Sequence, residues 1–128
     1  MSSVDTRHRR LCHDLFDAIE SGDVDGVARC YAPDMTMWFN VTGETSGREE
    51  SLEALRSGAG LHRRRTYNDR TIHTFDDGFL AQYTCHVVAK DGTNVPLSAC
   101  LVAEVHDGLI VRLFEYLDSA QFASRSRR

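Results

Sequence analysis

Two side chains that can move protons, Glu115 and His86, lie in strands that the sequence pattern directs toward an apolar interior. A carboxylate among hydrocarbon side chains is poorly hydrated, so its pKa rises toward neutrality and it can serve as a general acid or base. An imidazole titrates in that range without such help. We predict that Glu115 moves a proton and that His86 assists it or polarises a carbonyl group. The alternative is structural, with a solvated carboxylate at a pocket mouth and a histidine hydrogen-bonded in the core.

Three Asp-Gly dipeptides mark the turns that would position these residues. Asp-Gly readily adopts the positive backbone dihedrals of tight hairpins, so each dipeptide predicts a reversal of the chain. Four β-rich runs flank them, and four strands joined by three hairpins form an antiparallel meander. The dipeptides are 77–78, 91–92 and 107–108, and the runs are 66–75, 79–90, 95–106 and 109–118.

The expected strand register brings three residues into one row. A four-residue loop around Asp91-Gly92 places His86 opposite Ala99, and the turn at Asp107-Gly108 places Ala99 opposite Glu115. Because side chains alternate between the two faces of a sheet, all three residues then point to the same side. The His86 and Glu115 backbones would lie roughly 10 Å apart, a gap that long side chains or a substrate can close.

The face that carries this row is expected to line a substrate pocket. Gln82 and Thr84 would orient the substrate by hydrogen bonds, and apolar residues from the strands and the first helix would enclose it. The apolar set is Phe16, Ile19, Met37, Trp38, Phe39, Leu97, Ala99, Leu101 and Leu113. These residues predict a small apolar ligand as the partner of the site.

The opposite face of the meander is also rich in apolar side chains. Its expected members are Phe79, Tyr83, Val87, Ser98, Cys100, Val102, Phe114 and Tyr116. A solvated sheet surface is rarely so apolar, so we predict that a second subunit covers it in a homodimer.

Helices precede the meander. Apolar residues recur at helical spacing over residues 6–20, Gly22 ends that helix, and Asp23 caps a second helix over 24–31. A short strand at 35–40, a turn at 43–47 and a third helix at 48–57 follow. Helices followed by an antiparallel meander indicate the α+β class.

Length and composition narrow the function classes. The 128 residues fit one domain, expected at 6–120 with flexible ends at 1–5 and 121–128. A net charge of −4 argues against nucleic acid as a partner. Two basic runs are exceptions to this acidic balance: Arg63-Arg64-Arg65, expected in a loop, and the basic tail. No apolar stretch approaches the ~20 residues of a membrane span, and the polar start is no secretory signal, which predicts a cytoplasmic protein.

Several kinds of site are missing from the sequence pattern. The four cysteines are scattered among apolar residues, which predicts buried free thiols rather than disulfides. No His, Asp or Glu residues have metal-ligand spacing, and there is neither a glycine-rich phosphate loop nor a Gly-x-Ser-x-Gly elbow. We therefore expect chemistry without a metal or other cofactor.

The chain resembles the nuclear-transport-factor-2-like superfamily over about residues 8 to 122. The segments that carry the resemblance are 15–19 (LFDAI), 21–23 (SGD), 31–34 (YAPD), 47–49 (GRE), 107–110 (DGLI) and 115–118 (EYLD). It is most similar to the SnoaL-like polyketide cyclases, whose relatives are limonene-epoxide hydrolases and ketosteroid isomerases. The resemblance implies a cone-shaped α+β barrel with three N-terminal helices packed on a curved antiparallel sheet.

When the active-site residues of these families are placed on this sequence position by position, one acid is retained and the residues that act with it are replaced. The last-strand acid of the epoxide hydrolases falls at Glu115, but their arginine and second acid fall at Gln82 and Thr84. Their water-holding tyrosine and asparagine fall at Met37 and Phe39. The isomerase general base would likewise fall at Phe39, and the isomerase oxyanion-hole acid falls near Leu101.

These features lead to three functional hypotheses. The first is a SnoaL-like enzyme that performs cofactor-free acid/base chemistry, as cyclisation or isomerisation, on an apolar carbonyl-bearing substrate. The second is a non-catalytic ligand-binding or dimerisation module of the same fold, favoured by the lost polar positions. The third is an epoxide hydrolase with rebuilt water-positioning groups.

Overall fold

Three helices and six strands make up the chain in a computed structural model that describes residues 3–57, 62–89, 91–118 and 120–121. The helices are α1 (Val4–Ser21), α2 (Val24–Cys30) and α3 (Arg48–Arg56). The strands are β1 (Tyr31–Phe39), β2 (Thr45–Gly47), β3 (His62–Phe75), β4 (Gly78–Ala89), β5 (Asn94–His106) and β6 (Leu109–Leu117).

Side-chain and glycine caps set the ends of the first two helices. Ser3 Oγ accepts the amide of Thr6 at 3.1 Å, so α1 begins at Val4, two residues before the expected start. Gly22 ends it with a φ of 74°, which costs a glycine little. Asp23 Oδ1 accepts the amide of Gly26 at 2.9 Å, which confirms the predicted cap of α2.

The strands form one open sheet in the order β2-β1-β6-β5-β4-β3. Every neighbouring pair is antiparallel except β1 and β6, which run parallel, so the sheet is mixed. The three helices pack on one face, called the inner face; its residues include Tyr83, Leu101 and Glu115. The predicted α+β class and nuclear-transport-factor-2-like architecture are confirmed.

The hairpin turns differ in detail from the prediction. Asp107 and Gly108, with φ of 51° and 78°, form a turn at the expected position. The first turn is Asp76-Asp77, one residue early, and Gly78 opens β4 instead. A Cβ on Gly78 would lie 1.9 Å from the Ala103 carbonyl oxygen, so this glycine serves a close strand contact and not a turn.

The predicted register of β4 against β5 is wrong. His86 pairs with Pro96 and not with Ala99, three residues away along β5. A displacement by an odd number of residues turns every side chain of a strand to the other face. Tyr83 therefore points inward, and His86 points outward.

The predicted register of β5 against β6 is also wrong, but the faces survive. Ala99 pairs with Leu117, and Glu115 pairs with Leu101. The turn is one residue tighter than expected, and a bulge between Glu104 and Val105 adds one further residue. Because the total displacement is even, Glu115 keeps its predicted inward orientation.

Strand β3 begins at His62, so Arg65 lies in a strand and not in the expected loop. The pairing of β3 with β4 slips by one residue between Asn68 and Thr71, where Asp69 adopts a φ of 56°. This bulge lets Tyr67 before it and Ile72 after it face the same core, since it changes the alternation of the strand.

The core lies between the helices and the inner face. Helix α1 contributes three fully buried residues to this core: Phe16, Leu15 and Cys12. The four cysteines are free, as predicted, and Cys100 is only partly buried. Within the described ranges, no helix is both long and apolar enough to cross a bilayer. The domain bounds 6–120 and the cytoplasmic localisation stay predictions, and most of the expected flexible ends lies outside the described residues.

Candidate active site

A cavity of about 350 Å³ lies between α1, α3 and the inner face of the sheet. Its walls are mostly apolar, and its few polar groups come from four strands and from α3. The lining residues are Leu15, Phe16, Ile19, Tyr31, Met37, Phe39, Ser46, Glu50, Ser51, Ala54, Leu55, Arg65, Tyr67, Leu101, Leu113 and Glu115. An apolar cavity with a few convergent polar groups is the usual form of a small-molecule site.

Glu115 places its carboxylate in this cavity. Strand β6 directs the side chain inward beside Leu101, and the Tyr83 hydroxyl donates a hydrogen bond to Glu115 Oε2 at 2.8 Å. Burial raises the pKa of Glu115 above its usual range, although the Tyr83 hydrogen bond and the charge of Arg65 act in the opposite direction. A carboxyl group with a raised pKa can hold or release a proton near neutral pH.

Two further polar side chains, Tyr67 and Arg65, enter the cavity from β3. They are two residues apart on one strand and therefore share a face. The Arg65 guanidinium interacts with the Tyr67 hydroxyl, and the charge of Glu115 raises the pKa of both groups. Burial raises the pKa of Tyr67 and that of Tyr83, so both phenols stay protonated and can donate hydrogen bonds.

An aromatic cluster on α1 and the sheet positions the phenols. The Phe16 ring stacks on Tyr67 with centroids 4.4 Å apart and meets Tyr83 edge-on at 4.9 Å. The Arg70 guanidinium carbon lies over the Phe16 ring, 5.2 Å from its centroid. Glu20 Oε2 accepts the backbone amide of Tyr67, which ties β3 to the end of α1.

Arg70 is held by α1 in turn. Its guanidinium forms ion pairs with Asp17 at 2.9 Å and Glu20 at 3.3 Å, and its Nε donates to the Tyr67 carbonyl at 2.9 Å. Contacts between α1 and β3 thus hold the rings that set the positions of the Tyr67 and Tyr83 hydroxyls.

The structure brings about half of the predicted site residues together. Glu115 and six of the predicted apolar residues line the cavity: Phe16, Ile19, Met37, Phe39, Leu101 and Leu113. Leu97 is buried on the inner face but does not line the cavity, and Ala99 lies near the middle of β5, opposite Leu117 at the end of β6, and does not line it either. Both belong to the expected face without contributing to the site.

Four predicted residues face the other side of the sheet. The odd register shift turns Gln82, Thr84 and His86 outward, so they do not reach the cavity. His86 Nδ1 lies 3.3 Å from Asn94 Oδ1 on that outer side. The prediction that His86 lies beside Glu115 in the cavity is therefore wrong, because the register of β4 against β5 turns its side chain outward. Trp38 also points outward, because Met37 and Phe39 on either side of it take the inward positions.

Three polar side chains near Glu115 were not predicted to belong to the site: Tyr83, Tyr67 and Arg65. Tyr83 was assigned to the wrong face, and Arg65 was placed in a loop. One signal was present in the sequence, since Arg65 and Tyr67 stand two apart at the start of a β-rich run and share one face. Among the described residues, no group of three or more His, Cys, Asp or Glu side chains is placed to share a metal ion.

The hydrogen bond from Tyr83 makes a testable contribution to the acidity of Glu115. Tyr83→Phe removes a donor that favours the charged carboxylate, so the pKa of Glu115 is expected to rise further. NMR titration of the Glu115 side-chain carboxyl carbon measures this. Tyr116→Phe, on an exposed tyrosine of the same sheet, should leave the pKa unchanged. Equal pKa values in wild type and Tyr83→Phe would contradict the assigned role.

The same raised pKa has a consequence for stability. Between the unfolded and folded pKa values of Glu115, the folded protein binds more protons, so the free energy of unfolding falls as pH rises through that window. Glu115→Gln lacks this dependence, so its free energy of unfolding should rise relative to that of the wild type as pH rises from about 4 toward neutrality. Urea unfolding at several pH values measures the difference.

Comparison with known proteins places the chain in a family. The profile of the SnoaL-like domain matches residues 12–113, and the chain belongs to that family. Among curated proteins, none matches the sequence at a significant level.

Solved structures share the fold over nearly the whole chain. A candidate polyketide cyclase from Xanthomonas campestris pv. campestris superposes with a TM-score of 0.86 at 22% identity, covering 95% of this chain and 98% of that one. A candidate polyketide cyclase from Silicibacter sp. TM1040 gives 0.79 at 20% identity, with 91% and 93% covered. A candidate ketosteroid isomerase from Kribbella flavida gives 0.68 at 21% identity, with 88% and 78% covered.

Proposed function

We propose that the protein is an enzyme that moves protons on a small carbonyl-bearing molecule, in a cyclisation or an isomerisation, without a cofactor. The observation that carries the proposal is the Glu115 carboxylate, which lies in an apolar cavity with a raised pKa and a hydrogen bond from Tyr83. The names of the structural neighbours, polyketide cyclase and ketosteroid isomerase, describe chemistry of this kind.

In the proposed reaction Glu115 is the base. Its Oε2 is occupied by Tyr83, which leaves Oε1 to take a proton from the carbon next to the substrate carbonyl. The electron pair of that C–H bond forms an enolate, whose oxygen the protonated Tyr67 hydroxyl stabilises by a hydrogen bond. The Arg65 guanidinium beside Tyr67 strengthens this donor.

The enolate then has two outcomes. Return of the proton from Glu115 to a different carbon gives an isomer. Attack of the enolate carbon on a second carbonyl of the same molecule closes a ring, and the new alkoxide takes the proton from Glu115. Atoms and charge balance in both, and Glu115 ends as the carboxylate with which it began.

The test does not require the natural substrate. Exchange of the protons next to the carbonyl of acetophenone or 2-cyclohexenone for deuterium, followed by NMR, reports enolate formation directly. The protein should accelerate this exchange, with a rate that rises as Glu115 loses its proton. A protein that binds these ketones without accelerating exchange is the non-catalytic module of the second hypothesis.

The epoxide-hydrolase hypothesis has less support. Gln82 and Thr84, the positions of that family's arginine and second acid, lie outside the cavity. Of the described residues that line it, only Glu50 and Glu115 are carboxylates, and Glu50 Oε1 accepts the Gly47 amide at the start of α3. Met37 and Phe39, the positions of that family's water-holding tyrosine and asparagine, line the cavity with apolar side chains.

We also propose a homodimer formed through the outer face of the sheet. Trp38, Phe114 and Tyr116 form an aromatic cluster there, with ring centroids 6.4 Å and 5.4 Å from Trp38, and Tyr116 is 42% exposed. An unpaired charge in an apolar interface is costly, so Phe114→Asp should raise the dissociation constant at least about tenfold. Sedimentation equilibrium at micromolar concentration measures this.

The control for the dimer is His73→Asp, a charge placed on the exposed side of β3 away from the cluster. It should leave the dissociation constant unchanged. A wild-type protein that sediments as a monomer at micromolar concentration would refute the dimer.

A further inference from the structure

Arg65 is the feature of the cavity that the proposed proton transfer does not fully use. Among the described residues that line the cavity, it alone carries a positive charge. It projects inward from β3 next to Tyr67, opposite walls of hydrocarbon from α1, β5 and β6. A guanidinium offers five N–H donors in a rigid fork, and Tyr67 accounts for little of that capacity.

The charge of Arg65 has no carboxylate partner at close range. Within the described ranges, no Asp or Glu oxygen lies within 4.0 Å of its nitrogens, whereas Arg70 on the same strand holds Asp17 at 2.9 Å. The charge of Arg65 acts on Glu115 from a distance, and burial disfavours the charged form of that carboxyl. Burial opposes the charge of Arg65, but Tyr67 and the more distant Glu115 raise its pKa, so the guanidinium stays charged and lacks only a close ionic partner, which a bound anion supplies.

We infer that the substrate is a compact oxo-carboxylic acid whose carboxylate binds Arg65 while its keto group faces Glu115 and Tyr67. This inference rests on the proposed function for the keto group only. The planar fork of arginine matches the two oxygens of a carboxylate. A phosphate would bring a second negative charge toward Glu115, so the single charge of a carboxylate suits the site better.

The size of the cavity limits the rest of the molecule. At about 30 Å³ for each water-sized group, 350 Å³ accommodates about a dozen non-hydrogen atoms. One ring with a short oxo-acid chain fits that volume, and three or four fused rings do not. The hydrocarbon of Leu15, Met37, Leu101 and Leu113 is available to contact the ring.

The test compares ligands of one shape that differ in charge. Benzoate and benzamide are titrated into the wild-type protein by calorimetry or NMR, and benzoate is expected to bind at least tenfold more tightly. 9-Anthracenecarboxylate, with three fused rings, should bind at least tenfold more weakly than benzoate. Equal affinities for benzoate and benzamide, or no benzoate binding at millimolar concentration, would overturn the inference.

Variants assign the effect to Arg65. Arg65→Met should lower benzoate affinity at least tenfold and leave benzamide affinity unchanged, and Arg65→Lys, which keeps the charge without the fork, should fall between. Arg112→Met, on an exposed arginine paired with Glu104 at 2.9 Å, is the matched control and should behave as wild type. An equal loss for both ligands in Arg65→Met and Arg65→Lys would mean a general structural effect and would overturn the inference.

The binding measurement separates this inference from the catalytic proposal. Glu115→Gln should retain benzoate binding, because the carboxylate is held by Arg65 and the glutamine carries no opposing charge. If exchange proves independent of Glu115 while benzoate still depends on Arg65, the catalytic proposal fails and the carboxylate site stands.

Discussion

Glu115→Gln is expected to lower the rate of α-proton exchange by about two orders of magnitude or more. General base catalysis by a positioned group contributes about 10²–10⁴-fold, and an amide cannot accept the proton. Glutamine keeps the shape of glutamate and an oxygen that can accept the Tyr83 hydroxyl, so the cavity should stay intact. NMR exchange rates for wild type and variant, measured at the same pH, give the ratio directly.

The matched control is Glu104→Gln on the neighbouring strand. Glu104 points to the outer face, is paired with Arg112 and has a side chain that is 39% exposed. It should exchange at the wild-type rate. If Glu115→Gln retains that rate as well, Glu115 is not the base, and the raised pKa of its carboxyl is only a consequence of burial.

Phe16→Ala should lower the free energy of unfolding by about 3–5 kcal/mol, a large part of the stability of an ordinary domain. The ring is fully buried, stacks on Tyr67 and meets Tyr83, and its loss leaves a void between them. Urea unfolding monitored by circular dichroism measures the change. Phe16→Leu refills much of the void, so its free energy of unfolding should fall clearly less than that of Phe16→Ala.

The control for this prediction is Phe75→Ala, at the end of β3. Phe75 is 41% exposed, so its truncation should lower the free energy of unfolding by about 1 kcal/mol or less. Comparable losses at the two positions would show that the aromatic cluster does not carry the expected share of the stability.

The fold was predictable from the sequence because its signals are local. Helical periodicity, the cap at Asp23 and the turn at Asp107-Gly108 each depend on a few neighbouring residues, and the structure confirms them. The parallel pairing of β1 with β6 was not predicted. It joins segments about 75 residues apart, and no short-range pattern specifies such a contact.

The orientation of Glu115 was predicted correctly although the register was wrong by two residues. The turn before β6 is one residue tighter than assumed, the bulge beside Glu104 adds a second shift in the same direction, and an even total keeps the face of each side chain. No such compensation exists between β4 and β5, where the displacement is odd. His86 was therefore assigned to the cavity and Tyr83 to the surface, and the structure reverses both.

Register errors of this kind follow from the physics of the hairpin loop. A dipeptide such as Asp91-Gly92 indicates that the chain turns, but the number of residues in the loop sets which side chains face each other. Both faces of β4 carry apolar side chains, so hydrophobic alternation does not correct an error in loop length. Several apolar residues of the pocket could therefore be predicted, whereas the polar groups near Glu115, namely Arg65, Tyr67 and Tyr83, could not.

The irregular backbone at Asp69 bears on how this protein can change over evolutionary time. Upstream of it Arg65 and Tyr67 reach the cavity at odd positions, and downstream Arg70 and Ile72 reach the interior at even ones. If the backbone straightened at that residue without a change in chain length, the two halves of the strand would be out of phase. A lineage could thereby remove a cation and a phenol from the interior without substituting either, and a residue-by-residue comparison would still record both as retained.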